Sequence, residues 1–166
     1  MISADYCRVM ARYNHWQNCS LLSAADTLTD TERGLDRGAF FRSISATLNH
    51  LYWADALMLE RINGNERPQD TLQHSLANPS VWSEFKSLRA KRDAEISDWA
   101  STLNERDLDG RIGWYPPDGS ERIELPKALC VIQMFNHQTH HRGQIHAMLT
   151  AAGASPDPTD LPAMPR

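Results

Sequence analysis

Four of the seven histidines of this 166-residue chain fall within ten residues: His137, His140, His141 and His146. His137 and His141 are four positions apart, and side chains at that spacing lie one turn apart on the same face of an α-helix. Two imidazoles in this arrangement can bind one metal ion. A third ligand must then come from elsewhere in the chain, and His50 is the candidate. The spacing therefore predicts a three-histidine metal site.

A helix from Pro126 to about residue 152, ending at Gly153, is predicted to carry the pair. Apolar residues precede and follow both histidines on one face, so the imidazoles should point into the core. A buried polar group without a partner costs about 1–3 kcal/mol, and a metal ion would satisfy one nitrogen of each ring. The inward positions are predicted to be Leu129, Cys130, Met134, His137, His141, Ile145 and Met148.

The structural alternative is a set of core histidines that bind only their neighbours, because a pair at this spacing also arises by chance. His50, between Leu48 and Leu51, would then be a hydrogen-bonded core side chain. His140 lies three residues after His137 and can share its face. The remaining histidines have no geometric support as ligands: His15, His74 and His146.

Four long amphipathic helices are predicted to position the site in a single domain, residues 1–166. They cover about 3–27, 40–62, 79–103 and 126–152, with Asn78-Pro79 as the start signal of the third. The polar stretch 28–38 is predicted to be a loop, and 111–125 to be two short strands around a turn. This pattern predicts an all-α fold, a four-helix bundle with a small β-hairpin before the last helix.

The lengths of the segments permit a long crossover between the second and third long helices but do not require it. The second helix would span about 35 Å, and the connection 64–78 can reach roughly 50 Å when it is extended. The connection is therefore long enough to return along the bundle and leave the two helices parallel.

Composition and charge exclude several functions. The net charge of −4 argues against a nucleic-acid-binding face. The basic run Arg89-Ala90-Lys91-Arg92 is interpreted as a solvated helix face. No apolar run could span a membrane and no secretory signal is present, so we expect a cytoplasmic protein. The three cysteines form no disulfide or CxxC pattern and are interpreted as small buried residues: Cys7, Cys19 and Cys130.

Three segments resemble the DinB/YfiT-like superfamily of bacterial proteins: Tyr13 to Trp16, Thr47 to Asp55, and Asn136 to Gln144. The resemblance covers nearly the whole chain, and His137 to Gln144 is its specific part. It implies a four-helix bundle with a long crossover, often as a homodimer. It also implies a divalent metal bound by three histidines, which correspond here to His50, His137 and His141. Some members of the superfamily are thiol-dependent transferases or isomerases that use bacillithiol or mycothiol.

Three functions are considered from these residues and from the family resemblance, which alone implies the thiol. A site with three neutral imidazoles and open coordination positions can lower the pKa of bound water or deprotonate a bound thiol. The leading hypothesis is a metal-dependent transferase that activates a low-molecular-weight thiol against a small-molecule substrate, with zinc or nickel as the expected metal. The alternatives are a metal-dependent hydrolase and a non-catalytic metal-binding module of a stress response.

Other residues give less support for chemistry, and no general base is identified. Asp55 lies five residues from His50 and points elsewhere on its helix, so it is interpreted as a supporting or packing group. Arg142 is considered either as a contact for an anionic substrate or as a surface or dimer-contact arginine. Six large aromatic side chains in the first two long helices suggest a homodimer interface: Tyr13, Trp16, Phe40, Phe41, Tyr52 and Trp53.

Overall fold

A computed structural model describes residues 1–66, 75–116 and 118–165. Four long helices form the bundle, and a short antiparallel hairpin precedes the last of them, so the predicted fold is confirmed. The helices are α1 (Ala4–Ala25), α2 (Asp30–Gly34), α3 (Ile44–Ile62), α4 (Trp82–Thr102) and α5 (Lys127–Ala151). The strands are β1 (Arg111–Trp114) and β2 (Ile123–Pro126), and two 3-10 turns lie at Glu105–Leu108 and Leu161–Ala163.

Helices α3 and α4 are parallel neighbours. Tyr52 of α3 packs on Phe85 near the start of α4, with ring centroids 6.2 Å apart. One turn later in each helix, Asp55 accepts a hydrogen bond from Arg89 at 2.7 Å. The contacts therefore advance in the same direction along both helices. Parallel neighbours need a connection that returns along the bundle, so the predicted crossover is confirmed, although its residues 67–74 lie outside the described residues.

The core is divided into two apolar clusters, one toward each end of the bundle. One contains Phe135 of α5 and Ile96 of α4, and the other contains Phe85 of α4 and Ile145 of α5. A layer of buried polar side chains lies between them. Its members come from all four long helices: Asn14, Gln17, Asn18, Asp55, Arg89, Asp93, Gln138 and Arg142.

This layer corrects two predictions. Arg89 was predicted to belong to a solvated face, but its side chain is 2% exposed and pairs with buried aspartates. Arg142 is buried as well: its Nη1 donates to Asn14 Oδ1, and its guanidinium carbon lies 5.2 Å from the Tyr13 ring centroid. Arg142 is therefore neither a surface arginine nor a dimer contact. Hydrophobic periodicity missed both because long charged side chains can enter a core when partners are present.

The second long helix begins later than predicted, at Ile44 instead of residue 40. Ser43 is its N-cap, and the Ser43 Oγ accepts the Ala46 N–H at 3.1 Å. Residues 39–42 form a tight turn in which the Arg42 N–H donates to the Ala39 carbonyl at 2.8 Å. Arg42 has a φ of 68°, in the left-handed region that ends helical geometry.

Two other boundaries differ from the sequence prediction. The stretch 28–38 contains the short helix α2, because Thr29 and Glu32 form a reciprocal capping box. Helix α4 begins at Trp82 and not at Pro79, since the Pro79 carbonyl accepts a hydrogen bond from Asn49 at 3.3 Å. The capping box therefore forms a helix within the predicted loop, and the contact between Asn49 and Pro79 shifts the start of α4.

Two burial predictions were also wrong. Cys19 is exposed, whereas Cys7 and Cys130 are buried as expected. Leu129, predicted to face inward, is 43% exposed at the first turn of α5.

Among the described residues, no helix has both the length and the apolar character needed to cross a membrane.

Residues after Gly153 cover the surface of α1. Tyr13 donates its hydroxyl to the Thr159 carbonyl at 2.6 Å, and Gln17 Nε2 donates to the Pro158 carbonyl at 3.0 Å. Both donors are buried, so backbone carbonyls of this segment supply the acceptors that the two α1 side chains need. The segment is therefore an extended cap on α1.

Candidate metal centre

The three predicted histidines converge between α3 and α5. His50 Nε2 lies 3.2 Å from His137 Nε2, and His137 Nε2 lies 3.1 Å from His141 Nε2. One nitrogen of each ring can be chosen so that all three lie within 4.8 Å of one another. His137 and His141 come together because they are four residues apart on α5. His50 joins them because α3 is packed antiparallel against α5.

Gln144 determines which nitrogen of His141 faces the cluster. The Gln144 side-chain oxygen lies 2.9 Å from His141 Nδ1, and its amide nitrogen lies 3.1 Å from His140 Nε2. An amide oxygen only accepts, so His141 carries its proton on Nδ1. The His141 Nε2 lone pair is thereby directed toward His137. Second-sphere contacts of this kind orient metal-binding histidines in known sites.

No arrangement of neutral imidazoles satisfies both contacts in the cluster. His141 Nε2 is an acceptor, so His137 must donate to it for that contact to be a hydrogen bond. His137 Nε2 then has no lone pair to accept from His50, and the other contact fails. His50 Nδ1 is also buried without a partner among the described residues. A cation at the centre would accept all three Nε2 lone pairs, so the cluster fits a divalent metal ion.

The imidazoles are held neutral at physiological pH. Burial, with a smaller effect of the neighbouring His141 and His137, lowers the pKa of His50 to about 3. Burial and the nearby His141 and His140 lower the pKa of His137 to about 4. Burial also lowers the pKa of His141. Metal binding requires deprotonated imidazole, so these shifts keep the three nitrogens available.

Aromatic rings enclose one side of the cluster. The Phe41 ring lies 4.0 Å from the His50 ring and 5.5 Å from the His141 ring, centroid to centroid. The Trp53 ring lies 5.8 Å from the His50 ring, also centroid to centroid. The turn at residues 39–42 places Phe41 there. His50 and His141 are each only 6% exposed, whereas His137 is partly exposed. The site is therefore closed by Phe41 and reached past His137.

The other candidates lie outside the cluster. His140 is exposed beside it and binds Gln144. Asp55 is 1% exposed, accepts hydrogen bonds from Arg89 and Gln138, and has no bond to the three imidazoles, as expected of a packing group. His15 lies on α1, with its Nδ1 3.9 Å from an Asp93 carboxylate oxygen.

A sequence model of the DinB family matches residues 1–166. The chain belongs to the DinB family. Protein DinB of Bacillus subtilis (strain 168) is 28% identical to this DinB-family chain, over 95% of the chain and 92% of that protein. The family resemblance noted in the sequence is thereby confirmed.

Two solved structures share the fold of this DinB-family protein. YfiT from Bacillus subtilis, described as a probable metal-dependent hydrolase with an unusual four-helix bundle topology, has a TM-score of 0.63 and 19% identity. The match covers 93% of this chain and 92% of YfiT. A DinB-like protein from Bacillus cereus ATCC 10987 has a TM-score of 0.62 and 18% identity, covering 86% and 90% of the two chains.

Sequence reasoning missed two residues of the site. Gln144 was part of the recognised segment but had no assigned role, although its position three residues after His141 places it on the same face. Phe41 was counted only as one of six aromatic residues. Its contact with His50 depends on the left-handed Arg42, and the sequence has no glycine there to signal the turn.

Proposed function

We propose that this protein is a divalent-metal-dependent enzyme that transfers a low-molecular-weight thiol to a small electrophilic substrate. The metal-binding part of this proposal rests on the three Nε2 atoms that converge in the cluster. Neutral imidazoles do not satisfy both of the contacts between them. His50, His137 and His141 would hold the ion, with zinc or nickel as the expected metal because imidazole suits both. The family resemblance supports the thiol.

The residues of the chain would prepare the site as follows. His50, His137 and His141 stay neutral, and Gln144 fixes the tautomer of His141. Phe41 excludes water from the enclosed side and leaves the side of His137 for substrate. With three protein ligands, an ion bound here keeps open positions, where it lowers the pKa of a coordinated thiol or water.

A metal-dependent hydrolase is the second candidate. YfiT, which shares the fold, is described as a probable metal-dependent hydrolase. The same three imidazoles and the same open side would serve that reaction, with water as the nucleophile in place of a thiol. The two functions therefore differ in the nucleophile and not in the residues that hold the metal.

The discriminating experiment varies the thiol at constant metal. Protein loaded with zinc or nickel would be mixed with 1-chloro-2,4-dinitrobenzene and either bacillithiol, mycothiol, cysteine or no thiol. In the transfer reaction the sulfur displaces chloride, a C–S bond forms and the thiol proton passes to the buffer. We expect saturable dependence on one thiol, abolished in His137→Ala and retained in His140→Ala.

A parallel assay with 4-nitrophenyl acetate and no thiol tests the hydrolase. Metal-dependent ester cleavage that is lost in His137→Ala, without any thiol transfer, would replace the transferase by the hydrolase. Full metal loading with neither activity across a broad panel of electrophiles and esters would instead favour a non-catalytic metal-binding module. Localisation in the cytoplasm and assembly as a homodimer remain predictions, the latter consistent with Phe40 being 80% exposed.

A further inference from the structure

A mainly apolar cavity of about 320 Å³ lies between α3, the hairpin and α5. Its volume is at the lower end of the range of small-molecule sites, which is about 300–1,000 Å³. Apolar side chains from all three elements form most of its wall: Met58, Ile112, Trp114, Leu125 and Leu129. Cys130 also lines the cavity. Burial raises the pKa of its thiol, so Cys130 contributes an uncharged side chain to the wall.

Among the described residues that line this cavity, Arg61 is the one cationic side chain. Its guanidinium carbon lies 4.5 Å from the Trp114 ring centroid, in a cation–π contact. Its Nε is buried and has no hydrogen-bond partner within residues 1–66, 75–116 and 118–165. In the part of the chain that the structure describes, no carboxylate forms an ion pair with Arg61. The cavity therefore combines an apolar wall with a positive charge for which the described residues supply no carboxylate.

The cavity and the histidine cluster share the groove between α3 and α5. Gln133, at one edge of the cavity, is four residues before His137 and therefore one helical turn from it. Met58 is eight residues after His50, which corresponds to about 12 Å along α3. Arg61 lies farther along the same helix. The cavity therefore lies beside α3 and α5, beyond the histidine cluster toward the C-terminal end of α3.

We propose that this cavity binds a small carboxylate with an apolar body, whose carboxylate pairs with Arg61 and whose body packs on Trp114 and Met58. Arginine suits this partner because its planar group binds carboxylates through two parallel hydrogen bonds. Identification of the ligand as the substrate of the metal centre rests on the proposed function. Binding at the cavity does not depend on it.

The test is titration calorimetry on the full-length, metal-loaded protein with 4-phenylbutyrate and with its neutral analogue 4-phenyl-1-butanol. We expect the carboxylate to bind at least tenfold more tightly than the alcohol. Arg61→Gln should weaken 4-phenylbutyrate binding about tenfold to a hundredfold, because a hydrogen-bonded charge pair is lost. The same substitution should leave the alcohol nearly unaffected. Arg61→Lys should retain part of the preference.

Matched variants locate the binding site. Arg111→Gln removes a hairpin cation that does not line the cavity. Arg111 pairs with Glu124, so this substitution should not change binding of either compound. Cys130→Trp should fill the cavity and abolish binding of both compounds. Thermal melts of each variant establish that it is folded.

The inference is overturned by any of three results. These are no binding of 4-phenylbutyrate to the native protein, equal binding of acid and alcohol, and unchanged acid binding in folded Arg61→Gln. A stable dimer that Leu125→Glu dissociates, with ligand bound only by the dissociated protein, would assign the cavity to a second copy of the chain instead. His137→Ala should bind the acid normally, because His137 does not line the cavity. Acid binding by metal-loaded native protein that is inactive in every assay would count against the proposed function alone.

Discussion

Arg89 links two buried aspartates from different helices. Its Nη1 lies 2.7 Å from Asp55 Oδ2 on α3, and its Nη2 lies 2.7 Å from Asp93 Oδ1 on α4. All three side chains are 2% exposed. Asp93 also accepts hydrogen bonds from Asn14 at 3.1 Å and Asn18 at 2.8 Å, both on α1. The polar layer thus ties α1, α3 and α4 in a fixed register.

Asp55→Ala should destabilise the protein by about 3–5 kcal/mol, because it removes one of the two buried carboxylates that compensate the charge of Arg89. The substitution also removes the acceptor of the Gln138 side chain, which lies next to His137 on α5. Urea denaturation followed by circular dichroism measures the change, at saturating metal for both proteins.

An exposed pair on the hairpin is the control for this effect. Arg111 and Glu124 lie 2.7 Å apart with side chains about half exposed, so Glu124→Ala should cost less than about 1 kcal/mol. A loss below 1 kcal/mol in Asp55→Ala would contradict the structural role of the layer.

Metal content should depend on three histidines and not on the fourth. Elemental analysis of the native protein should give close to one ion per chain. His50→Ala, His137→Ala and His141→Ala should each lose it, because each removes one of the three converging Nε2 atoms. His140→Ala should retain it, since His140 lies outside the cluster. Native protein that is metal-free and cannot be reloaded would exclude a metalloenzyme.

The helices were predictable from the sequence, but their ends were less so. Amphipathic periodicity and the glycine at 153 located the long helices. The length of the connection 64–78 permitted a crossover, and the family resemblance implied it. The start of α3 was placed too early because Phe40 and Phe41 look like helix residues, whereas Arg42 in the left-handed region breaks the helix there. A local pattern cannot reveal a turn that an unusual backbone conformation creates.

The histidine cluster was predictable because its determinants are local spacing and a family pattern. His137 and His141 follow from helical geometry, and His50 from its position between apolar residues. The buried positions of Arg89 and Arg142 were missed since each depends on partners from other helices. A hydrophobicity pattern reflects the cost of burying a charge. It contains no information about the partners on other helices that offset this cost.

Gln144 should control metal affinity without binding the metal. Gln144→Ala removes the acceptor that keeps the His141 proton on Nδ1, so the affinity should fall about tenfold to a hundredfold. Gln144→Glu retains an oxygen acceptor and should restore most of it. His140→Ala, which removes the other partner of Gln144, should have little effect. Competition with a chromophoric chelator measures all four proteins, and equal affinities would remove Gln144 from the site.

Without metal, the cluster should make the protein less stable as the pH falls. An unfolded histidine has a pKa near about 6.5, whereas the folded pKa is about 3 for His50 and about 4 for His137. Between these values the unfolded chain binds more protons than the folded one. Linkage then requires the free energy of unfolding to decrease as the pH falls from about 6.5 toward 4, and these groups contribute no slope above about 7.

Urea midpoints in excess EDTA at pH 7.5, 6.0, 5.0 and 4.5 should therefore decrease in that order. The double variant His50→Gln with His137→Gln should lose most of this dependence, because neither replacement titrates. His140→Gln should retain it, since the exposed His140 lies outside the cluster. Saturating zinc should raise the midpoint most at pH 7.5, where protons no longer compete for the Nε2 atoms. A double variant with the slope of the native protein would show that other groups cause the acid sensitivity.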